Sequence, residues 1–195
     1  MNKTSIALFA SGTGTNAVNL INHFKNNDAI EVALVVCNKA DAPVVEKSKA
    51  LGVEVLVVSN DEVENGLTLL QELDYRAIKW IILAGFLRKI PLNILRGYHD
   101  RIINVHPALL PKFGGQGMYG MNVHKAVVEA CEIKSGISIH LVNEEFDKGE
   151  LLAQFEVEIL SGDTAEIVAE KVQLLEHRHF PEVVEKIIRH DGRRL

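Results

Sequence analysis

The chain has 195 residues, of which 47% are hydrophobic and 24% are charged, and its formal net charge at pH 7 is −5. Because one hydrophobic core can serve up to roughly 250 residues, this length predicts a single domain over residues 1–195. The composition excludes a disordered protein, and the acidic balance argues against a generally basic surface for nucleic acid or membranes. A local basic pocket stays open.

The two cysteines, Cys37 and Cys131, form no CxxC motif and no Cys/His pattern with metal-ligand spacing. We expect two buried free thiols, as in a reducing compartment, and no bound metal. The apolar part of the N-terminus is too short for a signal peptide, and no apolar run approaches the ~18 residues of a membrane-spanning helix. The predicted location is cytoplasmic.

The first half of the chain alternates predicted strands with predicted helices. Hydrophobic runs and helix-end signals place strands at residues 5–10, 30–37, 53–58 and 80–84, and helices at residues 17–24, 43–51 and 61–73. Strands that alternate with helices are typical of α/β proteins. The predicted fold is therefore a doubly wound, mostly parallel sheet flanked by helices.

A glycine-rich turn, SGTGTN at residues 11–16, lies between the first strand and the first helix. Its backbone N–H groups and the positive end of the helix dipole suit an anion such as phosphate, and Gly12 and Gly14 allow a close approach. The turn lacks the third glycine of GxGxxG and the lysine of a Walker loop. A structural alternative, in which its polar residues only cap the helix, stays open.

The segment GFLRKIP at residues 85–91 follows the fourth strand. It is expected at the carboxyl edge of the sheet, where its apolar and basic side chains could line a flat aromatic ligand. A loop packed on the core with two solvated cations explains the same residues, so both interpretations stay open.

The stretch INVHPALLP at residues 103–111 is the strongest candidate for a reactive site. Asn104 and His106 alternate in an apolar strand, so both side chains project from the same face. Pro107 ends the strand and leaves an amide beside an imidazole at its carboxyl end. A hydrogen-bonded structural pair is the alternative. The next ten residues contain four glycines, which predicts an irregular loop of the kind that often forms a functional lid.

An acidic turn, residues 143–150, separates two predicted strands at 136–142 and 151–157. Within it, Asp147 could orient an imidazole and raise its pKa toward neutrality. Whether Asp147 reaches His106 does not follow from their spacing. A helix is predicted at 123–130, and a final helix opens at 161–166 and kinks or restarts at Pro181.

Five segments taken in order resemble the phosphoribosylglycinamide formyltransferase family: SGTGTN, LAGFLRKIP, INVHPALLPKFGG, SGISIHLVNEEFDKGELLAQ and EHRHFP. The resemblance covers nearly the whole chain and implies the formyltransferase fold. In that family the enzyme moves a formyl group from 10-formyltetrahydrofolate to the amine of glycinamide ribonucleotide in purine synthesis, without a metal. It also implies small-molecule partners, no nucleic acid or membrane, and a monomer or homodimer.

The same resemblance assigns roles to individual residues. Asn104, His106 and Asp147 match the catalytic trio, in which Asn104 and a protonated His106 would stabilise a tetrahedral oxyanion. The residues that match the ribonucleotide site are Gly12, Thr13, Gly14, Thr15, Asn16, Gln173 and Glu176. Those that match the folate site are Leu87, Arg88, Lys89, Ile90, Asn104, Asn143, Glu144, Glu145 and Phe146.

The sequence departs from that pattern at two places. The loop FGGQGMYGMNVHKA is longer than a PGLH-type loop, and residues 60–65 contain no arginine of the kind that some relatives use near folate.

Within the superfamily, a methionyl-tRNA formyltransferase would be expected to carry an extra C-terminal domain and a formyltetrahydrofolate hydrolase an N-terminal one. From other classes, a non-catalytic nucleotide-binding module or a dehydrogenase stays open, although the dehydrogenase lacks a complete GxGxxG.

Overall fold

A computed structural model describes residues 3–190 of the chain. The strands are β1 (Thr4–Phe9), β2 (Ile30–Cys37), β3 (Val55–Val57), β4 (Trp80–Leu83), β5 (Ile102–His106), β6 (Lys134–Leu141) and β7 (Leu151–Glu158). The helices are α1 (Thr15–Phe24), α2 (Pro43–Ala50), α3 (Asn60–Asn65), α4 (Leu67–Tyr75), α5 (Leu92–Gly97), α6 (Met121–Glu129) and α7 (Ala165–Arg189).

The strands form one seven-stranded sheet in the order β3-β2-β1-β4-β5-β6-β7. The pairs β1/β2, β1/β4 and β2/β3 are parallel, whereas β6/β7 is antiparallel. Successive parallel strands need a crossover between them, and the helices of the first half supply it. The predicted mostly parallel α/β fold is confirmed.

The chain divides into two compact units, and each is described by itself. The first contains Met1–Ile103 and Val184–Leu195, and the second contains Asn104–Val183. In the first unit, β1 and β4 carry near-continuous buried apolar runs, as strands covered on both faces do. The prediction of a single domain over residues 1–195 stays a prediction.

The core of the second unit includes a small cluster that joins the end of β5 to α6. Ala108, Val123 and Val127 are fully or almost fully buried, and Phe113 and Met118 pack against them. On α7, Val168 and Val172 also belong to the buried core, since each is at most 1% exposed. This packing fixes the chain just beyond the Asn104/His106 strand.

Three local predictions are wrong in detail. The helix predicted over residues 61–73 is two helices, because Gly66 adopts φ +71 and breaks the hydrogen-bond ladder between α3 and α4. Of the two alternatives at Pro181, a kink or a restart, the restart is wrong, because Pro181 lies inside the continuous α7. Of the two cysteines only Cys37 is buried, since Cys131 lies exposed just after α6.

None of the described helices combines the length and the apolar composition that a crossing of the bilayer requires.

The break at Gly66 gives a stability prediction. A Cβ on this residue would overlap the Asn93 side chain and lie 2.7 Å from Pro91 Cγ, in a left-handed backbone that itself costs roughly 1 kcal/mol for alanine. Gly66→Ala should therefore lower the free energy of unfolding by more than this, measured by urea denaturation. Gly52→Ala is the matched control, because Gly52 has φ +80 but no atom within 4 Å of its missing Cβ. Equal losses in the two variants would contradict the packing argument.

Candidate active site

Hydrogen-bond acceptors face both ring nitrogens of His106, which is 3% exposed at the end of β5. Nε2 lies 2.7 Å from the Phe113 carbonyl oxygen, and Nδ1 lies 3.5 Å from Asp147 Oδ2. A carbonyl oxygen only accepts, so Nε2 carries the hydrogen. The distance of 3.5 Å exceeds the usual N–H···O range, so Asp147 acts on His106 through its charge.

Asp147 reaches the imidazole from the acidic turn because its backbone is left-handed, with φ +56. Aspartate tolerates this region better than most residues. Its side chain is 13% exposed, and its Oδ2 accepts a hydrogen bond of 2.9 Å from the Gly115 N–H. The loop after His106 and the acidic turn are thus joined at the carboxylate.

The pKa shifts of the pair follow from its burial. Burial lowers the pKa of His106, and the opposing charge of Asp147 and the bond to Phe113 do not fully offset it. For Asp147, burial raises the pKa, but the opposing effects of His140, His106 and Gly115 outweigh it, so the net direction is downward. The rise in the pKa of His106 that we expected from Asp147 is therefore not found. The resting pair is a neutral imidazole beside a carboxylate.

Sequence reasoning missed His140 as a functional residue and recognised only its place on a half-buried strand. Its side chain is 2% exposed, and its Nε2 lies 3.0 Å from Asn104 Nδ2 and 3.6 Å from Asp147 Oδ1. His140 therefore links the amide and the carboxylate of the predicted trio. The sequence does contain a signal for this residue. Ser138 and His140 are two positions apart along β6, so their side chains lie on the same face of the strand.

Ser138 holds the backbone just after His106. Its hydroxyl donates to the Ala108 carbonyl at 2.7 Å and accepts from the Leu110 N–H at 2.9 Å. The Gln154 amide donates both to this hydroxyl and to the Leu110 carbonyl. The segment predicted as an irregular lid is thus tied down at its start, where the Leu110–Pro111 peptide bond is cis.

A third buried imidazole, His124, lies on α6. It is 6% exposed and its Nδ1 has no hydrogen-bond partner in the described structure. Burial lowers its pKa, and His106 adds a smaller effect in the same direction. His124 is therefore a buried residue of α6 and not a solvated one.

In the first unit, the turn at 11–16 leads directly into the start of α1. Gly14 is the N-cap of α1 with φ +72, makes no side-chain cap, and has no room for a Cβ because Val44 packs against it. No acidic residue lies in the first turn of α1, and Lys47 Nζ donates to the Thr13 carbonyl at 2.9 Å. The dipole of α1 and the Lys47 ammonium group therefore place positive charge near this glycine-containing turn.

Ser11 connects this turn to the 85–91 segment. Its N–H donates to the Gly85 carbonyl at 3.0 Å, and its hydroxyl accepts from the Leu87 N–H at 3.0 Å. Leu87, Arg88 and Lys89 are exposed, whereas Ile90 is only 4% exposed and belongs to the core. Two predicted ligand-binding segments thus meet within the first unit.

The remaining predicted residues lie on the second unit. In the acidic turn, the Asn143 side chain accepts from the Glu145 N–H and donates to the Lys148 carbonyl. The four turn residues are exposed: Asn143, Glu144, Glu145 and Phe146. On α7, Gln173 is exposed and Glu176 is half-buried. Within residues 3–190, no group of three or more His, Cys, Asp or Glu side chains is arranged to hold a metal ion.

An amide, an imidazole and a buried carboxylate at one strand end suit acyl-transfer chemistry with a developing oxyanion. The family model of formyl transferase matches residues 4–184 of this chain. The chain belongs to the formyl transferase family.

Individual members of the formyl transferase family show the same likeness. The chain is 39% identical over 188 residues to the chloroplastic phosphoribosylglycinamide formyltransferase of Arabidopsis thaliana. The aligned region covers 93% of this chain and 64% of the plant protein. It thus spans less than two thirds of that relative's length. It is 34% identical to the phosphoribosylglycinamide formyltransferase of Bacillus subtilis (strain 168), with 93% of each chain covered. The crystal structure of phosphoribosylglycinamide formyltransferase from Bacillus halodurans superposes with a TM-score of 0.87 at 33% identity, covering 94% of this chain and 95% of that one.

The electrostatics of the pair give a first prediction for this site. Since the Asp147 charge raises the pKa of His106 against burial, Asp147→Asn should lower that pKa further, measured by NMR titration of the ring. Asparagine keeps an oxygen for the Gly115 N–H and tolerates the left-handed backbone. Asp163→Asn is the control, because Asp163 pairs with Lys171 and does not act on His106. An unchanged or higher pKa in Asp147→Asn would refute this account.

The orphaned nitrogen of His124 gives a second prediction. His124→Leu removes a buried polar atom without a partner, so the free energy of unfolding should rise by about 1 kcal/mol. The gain should grow as the pH falls below the ordinary histidine pKa, because the unfolded wild-type chain then binds a proton that the buried ring resists. Urea denaturation at pH 8 and pH 6 measures both effects. A loss of stability at either pH would show that the nitrogen has a partner in solution.

Proposed function

We propose that this protein transfers the formyl group of 10-formyltetrahydrofolate to the amine of glycinamide ribonucleotide, the third step of de novo purine biosynthesis. The observation that carries the proposal is the linked arrangement of Asn104, His106 and Asp147 in a member of the formyl transferase family. The full-length similarity to the Bacillus subtilis enzyme supports the choice of substrates.

In the proposed reaction, the amine nitrogen of the ribonucleotide attacks the formyl carbon. A C–N bond forms, and the formyl oxygen becomes an oxyanion. Asn104 is half-buried, so its amide N–H can reach the site where this charge develops. The bond between the formyl carbon and the folate nitrogen then breaks, and the electron pair and a proton go to that nitrogen.

His106 would handle the proton that the attacking amine loses. Its imidazole is neutral at rest and its Nε2 already carries a hydrogen, so the proton would be taken up at Nδ1. The imidazolium formed in this way is stabilised by the Asp147 carboxylate, 3.5 Å from Nδ1. This sequence replaces the resting protonated imidazole that the resemblance implies with one that becomes charged during the reaction.

The other predicted residues would hold the substrates. The turn at residues 12–16 is suited to the ribonucleotide phosphate, because Gly14 and the start of α1 direct N–H groups and a positive dipole to one place. Gln173 and Glu176 are proposed to contact the amino-bearing substrate. The exposed residues of the 87–89 segment and the 143–146 turn, with the buried Ile90, are proposed to line the folate site. A cytoplasmic location and a monomeric or homodimeric state stay predictions.

The test is an assay for the deformylated folate with purified protein, in the presence and in the absence of glycinamide ribonucleotide. We expect product only when the ribonucleotide is present, and a decrease in kcat of about 100-fold or more for Asn104→Ala, His106→Ala and Asp147→Ala. Lys134→Ala is a control, because Lys134 is an exposed residue paired with Glu156. Product without the ribonucleotide would indicate a hydrolase, and near-normal turnover in a folded trio variant would refute the mechanism.

A further inference from the structure

We propose that His140 is a positioning residue that fixes the orientation of the Asn104 amide. In this role its ring accepts a hydrogen bond from Asn104 Nδ2. This bond fixes Nδ2, and not Oδ1, as the amide atom that faces His140. The inference rests on the proposed function for its catalytic consequence, but the hydrogen-bond pattern itself is testable without activity.

The contact of Nδ1 fixes the tautomer of His140. Its Nδ1 lies 2.8 Å from the Leu141 carbonyl oxygen, and a carbonyl oxygen only accepts. Nδ1 therefore carries a hydrogen. In a neutral ring the other nitrogen, Nε2, then has a lone pair and accepts.

Two polar side chains lie near Nε2, and only one of them is within hydrogen-bond range. Asn104 Nδ2 lies 3.0 Å from it, within hydrogen-bond range, whereas Asp147 Oδ1 lies 3.6 Å away, outside that range. The donor for the Nε2 lone pair is therefore the Asn104 amide. A doubly protonated ring would place two donors face to face at the 3.0 Å contact.

The contact with His140 uses only part of the Asn104 amide. An amide nitrogen has two N–H groups, and His140 uses one of them. The second N–H remains for a developing oxyanion. If the amide rotated by half a turn, its oxygen would face the lone pair of Nε2, and two acceptors would oppose each other in a buried place. The Leu141 carbonyl thus sets the Asn104 orientation through one fixed imidazole.

Three substitutions separate this role from packing. The glutamine side chain reaches about as far as Nε2 of histidine and offers an acceptor to Asn104. Asparagine reaches only about as far as Nδ1, so it offers Asn104 no acceptor. Leucine has no polar side-chain atom. We expect His140→Leu and His140→Asn to lower kcat about 100-fold with little change in KM, and His140→Gln to regain most of the loss. Circular dichroism and thermal unfolding confirm that each variant is folded.

A double-mutant cycle tests whether His140 acts through Asn104. In the Asn104→Ala background, His140→Leu should lower kcat by less than about 3-fold, because the group that it positions is already gone. A full 100-fold further loss there, or a folded His140→Gln as inactive as His140→Leu, would overturn the proposal.

The tautomer has its own test, which does not depend on turnover. In the wild-type protein, 15N NMR of the His140 ring should show a protonated Nδ1 and an unprotonated Nε2. A hydrogen on Nε2 would overturn the proposal even in an active enzyme. A wild-type protein with the expected tautomer but without formyl transfer would instead refute the proposed function and leave the hydrogen-bond pattern standing.

Discussion

The burial of one ionised carboxylate is the constraint on which the candidate site depends. Asp147 is 13% exposed, and burying a charge is costly unless it is hydrogen-bonded or paired. One backbone N–H, from Gly115, donates to the carboxylate, and the rings of His106 and His140 lie 3.5 and 3.6 Å from its oxygens. Because these groups come from the loop after β5, from β5 and from β6, the carboxylate defines how the three segments are arranged. Its left-handed backbone is the local distortion that makes this possible.

The same burial sets the resting charges of the site. Water exclusion acts on His106 more strongly than the nearby carboxylate does, so the ring stays neutral and available to accept a proton. A carboxylate that is already ionised then stabilises the cation that appears only during the reaction. Such a pair contributes most in the transition state, where the charge develops, and little to the binding of neutral groups beforehand.

Much of the fold follows from local patterns, because strand and helix periods and glycine positions act over a few residues. The turn at 11–16 and the Asn104/His106 alternation were predicted on this basis. Asp147 was linked to His106 by family resemblance alone, since a left-handed backbone and a contact 41 residues away leave no periodic signal. The roles of His140 and Ser138 depend on which strand lies beside which. The lack of room for a Cβ at Gly66 depends on the neighbouring side chains of Asn93 and Pro91. Tertiary neighbours of this kind decide such details after the local pattern is satisfied.

The bond between His106 Nε2 and the Phe113 carbonyl has a thermodynamic consequence for binding. One N–H serves one strong acceptor, so a ligand oxygen that takes this hydrogen competes with the chain's own backbone. Phe113 is also held at φ +55, a region that a bulky side chain occupies at a cost. The measured binding free energy of any ligand that uses Nε2 is therefore a sum of two quantities. One is the free energy of the ligand's own contacts, and the other is the free energy of releasing Phe113. Substitutions at Phe113 would change that sum without touching the ligand.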